Sequence, residues 1–458
     1  MNNETIAAIA TALSPGGIGI VRISGKDAIG VISKIYRSSS GAGSPGNWES
    51  HTIHYGFICD REEIIDEVMV LFMKGPKSYT TEDVVEIDCH GGVVVTRRVL
   101  ECVLSHGARL AEPGEFTKRA FLNGRIDLSR AEAVTDLIDA GNTFAARSSM
   151  SQMRGSVYNK VLSLREKILH QTAFIEAALD DPEHYSLEGT SDQLLEDVRY
   201  VLDETKTLID NSENGRKLKE GIHTVILGKP NAGKSSLLNA LAGRQRAIVT
   251  DIAGTTRDTI EEEITMNGFS LNMIDTAGIR DAEDPIEKIG VDRAREEGLS
   301  ADLILYVVDS SIPLDDNDRY ILDMIRDRKA IILLNKSDLE PVVDETDFHE
   351  ITDQPIISIS AKEDTGTDEL RETIDRMFSR GDISFNDQVI VTNVRQTEEL
   401  RSAARSLELV IEGVEMGCSE DLLTVDLMDA YGAFGRIIGE EVDEDLIDKI
   451  FEDFCMGK

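Results

Sequence analysis

Basic side chains are scarce in this chain: 48 lysines and arginines stand against 85 aspartates and glutamates in 458 residues, a formal charge of −37. Such a surface repels nucleic acid at long range, so an RNA substrate would need a local basic patch or a partner protein to supply most phosphate contacts. Aromatic residues make up only 5% and the hydrophobic share is an ordinary 41%, which suits a soluble globular protein of two to four domains. No apolar run approaches the roughly 20 residues of a membrane span, and the opening MNNETIAAIA has no basic segment ahead of its apolar stretch. A cytoplasmic protein is therefore expected. The five cysteines are odd in number and lack metal-ligand spacing, which argues against a disulfide framework and for reduced thiols. Internal repeats and low-complexity tails are also missing.

What the chain does have is three kinds of pattern in succession. Up to about residue 115, short β-type runs (IGIVRIS, 18–24; VMVLFM, 68–73; VVEIDCHGG, 84–92) mix with an apolar helical stretch near 96–104, as in an α+β domain. A capping box at Ser129 and Glu132 then opens a long helical pattern, which pauses at DDPEHYSLEG (180–189), restarts at Thr190 and Gln193, and runs to about Ser212. From Gly221 to about Arg380 strands and helices alternate as in a parallel-sheet α/β domain, and helical pattern returns over 389–411 and 420–454. A helical domain interrupted by an α/β insertion accounts for this order. The expected divisions are 1–118, 119–215, 216–380 and 381–458.

The chemistry is concentrated in the insertion. GKPNAGKSS (228–236) follows the buried-strand pattern HTVIL and matches glycine, four residues, then glycine, lysine and serine. Gly228 and Gly233 let the backbone of Asn231, Ala232, Gly233, Ser235 and Ser236 turn its N–H groups onto phosphate oxygens. Lys234 places a cation between the terminal phosphates, and the Ser235 hydroxyl can ligate Mg²⁺. A glycine-rich turn with no ligand is the plainer reading of this motif alone, but three further motifs follow in order. The strand FSLNMID leads into DTAG: Asp275 can hold the Mg²⁺ shell through water, and Thr276, Ala277 and Gly278 bring backbone to the γ-phosphate. After the apolar strand AIILL comes NKSD, Asn335, Lys336, Ser337 and Asp338. The Asp338 carboxylate can accept from both N–H donors on guanine's Watson–Crick edge, and a site built around it rejects adenine because a buried charge would be left unpaired. Lys336 is expected along the base plane. In SAK, Ser360, Ala361 and Lys362, the Ala361 N–H is offered to guanine O6. Four motifs in this order specify a GTPase.

The residue after DTAG is Ile279, where many GTPases carry a glutamine that orients the attacking water. Isoleucine cannot make that bond, so another water-positioning group and another positive charge are needed. Arg280 and Glu287 are candidates, set against solvated charge on a loop. So is the glycine- and threonine-rich segment DIAGTTRD (251–258), which reads as a switch loop with Thr256 as a second Mg²⁺ ligand.

Taken together, the chain resembles the MnmE (TrmE) family of tRNA modification GTPases, which are potassium-activated. The resemblance rests on GGIGIVRISG (16–25), SYTTEDVVEIDCHGG (78–92), PGEFTKRAFLNGRIDLSRAEAV (113–134), the GTPase motifs with DIAGTTRD, and the terminal FCMGK (454–458). These span both ends, beyond what a shared GTPase module explains. The resemblance implies a multidomain α/β and α protein. An N-terminal α+β domain binds a 5-formyl- or 5,10-methylene-tetrahydrofolate and dimerises, and the helical domain carries the P-loop GTPase domain as an insertion. It implies GTP hydrolysis coupled to placing an aminomethyl or carboxymethylaminomethyl group on C5 of the wobble uridine of certain tRNAs. The FAD-dependent MnmG (GidA) acts jointly in a heterotetramer or larger complex, and tRNA is contacted mainly through that partner.

By motif, folate contacts fall on Arg22, Glu86, Arg125 and Lys458. Cations suit a glutamate-tailed anionic cofactor, and a carboxylate suits the pterin's N–H edge. A surface ion pair is the alternative for either arginine alone. The family's K⁺, which replaces an arginine finger when two GTPase domains meet, maps to Asn231, Thr250, Ile252 and Thr255, within a nucleotide-contacting stretch that also holds Asp251, Ala253, Gly254 and Thr256. Glu287 matches the water-orienting glutamate, so the catalytic set is Glu287, Lys234 and Thr256. The Cys455 tail fits the family's C-terminus better than a prenylation box, since lysine ends it. Where the family has a DFPEE-like segment this chain has DDPEH, and that loop carries no assigned role. Two other classes remain: a regulatory or ribosome-assembly GTPase, disfavoured because no RNA-binding module or basic tract follows the GTPase domain, and a folate-dependent transferase in which GTP only gates the site.

Overall fold

A computed structural model describes residues 4–39, 44–181, 190–243, 260–266, 268–274, 301–349, 351–378, 389–452, 454, 455 and 457. These form two compact units, the first built from 1–138, 152–199 and 405–458 and the second from 139–151 and 200–404.

The first unit holds a seven-stranded sheet in the order β3-β4-β5-β6-β2-β1-β7, with β1 at Ile6–Ile9, β2 at Ile18–Ser24, β3 at Tyr36–Ser38, β4 at Thr52–Asp60, β5 at Glu63–Met73, β6 at Val84–His90 and β7 at Arg109–Leu110. All pairs are antiparallel except β1 with β7. Strict alternation in β2 and β6 sends Val21, Ile23, Val85, Ile87 and Cys89 to one face, where helices α1 (Ala28–Ile35) and α2 (Val93–Ser105) close the core. Arg22 and Glu86 lie opposite each other in register and point to the other face. There, near β1, Ile6, Ala8, Ala111 and Phe116 form a second, smaller core with Tyr79 packed against it.

Phe116 comes from α3 (Glu115–Leu122), which is followed by α4 (Leu128–Ile138). The expected capping box at Ser129 is not the cap. Ser129 sits buried inside α4, and the Asp127 carboxylate accepts from the Arg130 N–H at 3.2 Å, because the helix begins two residues earlier than the box requires. Helices α5 (Thr143–Met153), α6 (Ser156–Asp180) and α7 (Thr190–Glu220) follow, and α7 runs past the expected Ser212. Within this unit α12 (Glu420–Ile438) packs along α6, with the Arg165 guanidinium 4.0 Å over the Tyr431 ring. The last helix, α13 (Glu444–Glu452), brings Ile447, Phe451 and Phe454 against Leu128 and Ala131.

The second unit contains a six-stranded sheet, β13-β12-β11-β8-β10-β9. Its strands are β8 (Ile222–Gly228), β9 (Ile260–Met266), β10 (Phe269–Ile274), β11 (Leu303–Asp309), β12 (Ala330–Asn335) and β13 (Ile356–Ser358), parallel throughout except for β9 against β10. Strands β8, β11 and β12 are buried along almost their whole length because helices cover both faces. The helices in this part are α8 (Lys234–Gly243), α9 (Asp316–Ile325) and α10 (Thr367–Phe378), and α11 (Val394–Glu415) follows. The carboxyl ends of β8, β11 and β12 therefore share one edge, where α/β sheets bind ligands.

Candidate functional site

Three of the four GTPase motifs meet at that edge. After β8 the chain turns through Gly228, whose φ of +152° and clearance leave no room for a side chain: a Cβ would lie 2.4 Å from the Val307 carbonyl oxygen. Asn231 also has a positive φ, +63°, and its side chain is exposed. At Gly233 a Cβ would lie 2.0 Å from Asn335 Nδ2, so the loop closes onto the NKSD strand only with glycine there. Helix α8 starts at Lys234, with Ser235 and Ser236 in its first turn and its N-terminal dipole facing the loop.

Lys234 Nζ donates to the carbonyls of Gly228 at 2.7 Å and Lys229 at 2.9 Å. Burial pushes this ammonium below the usual lysine value, and the two carbonyls aim its remaining N–H at the loop's interior. Asn335, almost fully buried, donates from Nδ2 to the Ala232 carbonyl at 2.7 Å and accepts from the Ala361 N–H on Oδ1 at 3.0 Å. One carboxamide thus ties the phosphate loop, NKSD and SAK together.

Asp338, the residue expected to read the base, is held by two neighbours. Its Oδ1 accepts from Ser360 Oγ at 2.8 Å and Lys362 Nζ lies 4.0 Å from Oδ2. Lys336, at φ +66°, ion-pairs with Asp309 at the end of β11. Burial pushes the Asp309 carboxyl up, but Lys336 and two hydrogen bonds from Ser311 outweigh it and leave the group below the usual carboxylate range. The Ser337 N–H is taken by the Ile359 carbonyl, which fixes the spacing between the NKSD and SAK segments. Such an arrangement of backbone donors, a buried cation and a partly shielded carboxylate fits a guanine nucleotide.

Arg22 anchors a second cluster, in the first unit. Its Nε donates to Glu86 at 2.7 Å, its Nη1 donates to the Gly457 carbonyl at 3.0 Å, and its guanidinium lies 5.4 Å and 5.6 Å from the ring centroids of Tyr79 and Phe116. The exposed Arg125 stacks on the same Tyr79 at 4.5 Å, and the Tyr79 hydroxyl is paired with Thr117 Oγ1. Gly457 fits because its φ is +90° and a Cβ would lie 2.3 Å from the Ile9 carbonyl oxygen. The cluster offers two guanidinium groups, a carboxylate and two aromatic faces, a set suited to a flat, anionic heteroaromatic ligand.

Residues 5–125 match the family model described as GTP-binding protein TrmE N-terminus, and residues 128–455 match the MnmE helical domain. Over all of both chains, the sequence is 58% identical to the tRNA modification GTPase MnmE of Lachnoclostridium phytofermentans. It is 46% identical to the protein of the same name from Bacillus subtilis, over 99% of this chain and 100% of that one. The chain belongs to the MnmE family of tRNA modification GTPases. A solved structure, the G domain of the T. maritima FeoB iron transporter, aligns at 26% identity over 35% of this chain and 99% of that one, with a TM-score of 0.26, and adds nothing to the assignment.

As an MnmE-family member the chain is a GTPase, and the family implies nucleotide and Mg²⁺ use. Ser235 is the expected Mg²⁺ ligand among the described residues, and the metal would draw charge from the terminal phosphates. Thr250, Asp251, Ile252, Ala253, Gly254, Thr255 and Thr256, then Asp275, Thr276, Ala277 and Gly278, and also Ile279, Arg280, Glu287 and Lys458, lie outside the described residues. Among the described residues no helix is long and apolar enough to cross a membrane. All five cysteines are free, with Cys59, Cys89 and Cys102 buried and Cys418 and Cys455 exposed. Burial raises the Cys102 thiol to about 11.

Sequence reasoning missed four contributors. Asp309 carries no motif, Tyr79 and Phe116 read only as part of the strings SYTTEDVVEIDCHGG and PGEFTKRAFLNGRIDLSRAEAV, and Lys229 occupies one of the four unspecified positions of the phosphate-loop pattern. The signal for Asp309 was its place at the end of an apolar strand parallel to β12.

Proposed function

We propose that this protein hydrolyses GTP to drive modification at C5 of the wobble uridine in certain tRNAs, adding an aminomethyl or carboxymethylaminomethyl group. The one-carbon unit comes from a tetrahydrofolate held by Arg22, Glu86, Arg125 and Lys458, and the FAD-dependent MnmG is the partner that contacts most of the tRNA. The observation that carries this reading is Arg22: it is held at once by Glu86, by the Gly457 carbonyl of the C-terminal tail and by two aromatic rings. A lone surface ion pair has no use for such a setting. The relatives' name, tRNA modification GTPase, supports the RNA substrate, and a formal charge of −37 favours a partner protein as the main tRNA contact.

The chain works as a cytoplasmic homodimer, organised as an N-terminal domain over 1–118, helical segments over 119–215 and 381–458, and the GTPase domain over 216–380. Supporting dimerisation, the β4–β5 hairpin exposes Ile53, Tyr55, Ile64 and Met69. Potassium, held by Asn231, Thr250, Ile252 and Thr255, supplies positive charge in place of an arginine finger, and Glu287 orients the water in place of the glutamine that Ile279 replaces.

Purified protein combined with FAD-loaded MnmG, unmodified tRNA, 5,10-methylene-tetrahydrofolate, an amine donor (ammonium for the aminomethyl group, glycine for the carboxymethylaminomethyl group), GTP and KCl is expected to yield C5-modified wobble uridine by nucleoside mass spectrometry. Normal wobble uridines in a deletion strain would eliminate this function and leave the regulatory GTPase.

A further inference from the structure

Beside the phosphate loop a small cleft is lined by Lys229, Ala232, Asp309, Ile312 and Asp318 among others. Its floor is a closed polar network that the nucleotide chemistry described above does not use. Lys229, the residue after Gly228, reaches from the loop to α9, where its Nζ donates to Asp318 Oδ2 at 2.5 Å and Asp315 Oδ2 at 2.8 Å. Asp318 is buried, with a side chain 3% exposed. Its other oxygen accepts from the Tyr306 hydroxyl of β11 at 2.7 Å, and Oδ2 also accepts from the Asp315 N–H at 2.9 Å. Three of the roughly four lone-pair directions of this carboxylate are therefore committed, and a buried carboxylate oriented from three sides can hold a flexible lysine in one conformation.

The consequence lies one bond further along. The Lys229 carbonyl is one of the two acceptors that hold Lys234 Nζ, at 2.9 Å. From these contacts we infer that Asp318 is a positioning residue for nucleotide binding: by holding the Lys229 side chain it sets the direction of the Lys229 carbonyl, and through it the place of the Lys234 ammonium among the phosphates. Desolvation alone would press the Lys229 ammonium toward neutrality, but the two carboxylates outweigh it and raise its pKa. The brace therefore stays charged throughout the neutral range. It joins the phosphate loop to the N-terminal cap of α9, an element that carries none of the four motifs. The inference rests on the GTPase function and not on the folate reading.

The test uses the full-length protein and GTP in KCl, with GTP affinity, KM and kcat measured beside thermal unfolding. Asp318→Asn, which keeps shape and loses charge, and Lys229→Met are each expected to weaken GTP binding about tenfold, the worth of one charge-assisted hydrogen bond. Because both break the same brace, the double variant should lose no more than either single one. Lys229→Arg, which can still reach both carboxylates, should restore affinity. A purely structural role would lower the melting temperature and leave GTP KM unchanged, and that result would overturn the assignment, as would single losses that multiply in the double variant. Should Asp318→Asn fail to fold, the Lys229→Met and Lys229→Arg pair, at a partly exposed side chain, decides the matter alone.

Discussion

Asn335 donates to the carbonyl of Ala232 at 2.7 Å, from the end of one strand to the middle of the phosphate loop. With its other carboxamide atom taken by the Ala361 N–H, this side chain couples the phosphate-loop motif to the SAK segment.

Removing it should loosen both. Asn335→Ala leaves the Ala232 carbonyl and Ala361 N–H without their partner, a cost of about 1–3 kcal/mol for buried groups, and GTP and GDP affinity should each fall about tenfold or more by fluorescent-nucleotide titration. Unchanged affinity for both would show that the loop is ordered without this bond.

Asp338→Asn changes what the base must present. The carboxylate accepts from two guanine donors, whereas a carboxamide turns one position into a donor, which suits the C2 carbonyl of xanthine. GTP affinity should drop by roughly two orders of magnitude or more, and xanthosine triphosphate should be preferred in competition. If GTP still outcompetes xanthosine triphosphate, the carboxylate does not read the base.

Hydrolysis should depend on potassium. With K⁺ as the charge source and Glu287 orienting the water, the GTPase rate in KCl should exceed that in NaCl, and Glu287→Ala should reduce turnover about a hundredfold with nucleotide affinity nearly unchanged. Equal rates in the two salts would undermine the potassium site, and wild-type turnover in Glu287→Ala would remove that residue from the mechanism.

In the first unit, acid should act through Glu115. Burial pushes its carboxyl up, but Arg109, the Glu112 N–H and Arg119 outweigh that and lower its pKa below the model-peptide range. A carboxylate lowered on folding contributes stability that is complete above its unfolded pKa, about 4.3, and is lost as pH falls through the folded value. Thermal melts of Glu115→Gln should therefore show a lower midpoint than wild type at pH 6–7, with the gap narrowing below about pH 4. A gap independent of pH would mean that packing, not charge, sets the contribution of Glu115.

Much of the second unit was legible before any coordinates. HTVIL and AIILL became β8 and β12 within a residue because strands buried on both faces must be apolar throughout, which leaves little ambiguity. Helix boundaries were less readable. The α7 continuation over 213–220 is polar in composition, and its apolar anchor is Leu218, buried in a core cluster that also draws in residues as distant as Leu303 and Phe378. Asp127 displaced Ser129 as the α4 cap because both residues can cap and only the helix start decides between them.

The sequence by itself determined that a guanine nucleotide is bound, since the spacing of glycines, Lys234 and Asp338 serves local geometry that a few consecutive residues fulfil. Family membership was equally readable, because its motifs reach both ends of the chain. Only the tertiary structure decided which residues hold those motifs in place. Asn335 meets Ala232 across 103 residues, Lys229 meets Asp318 across 89, and Arg22 meets Gly457 across 435. Such contacts depend on strand order and helix docking, which local sequence patterns do not encode residue by residue.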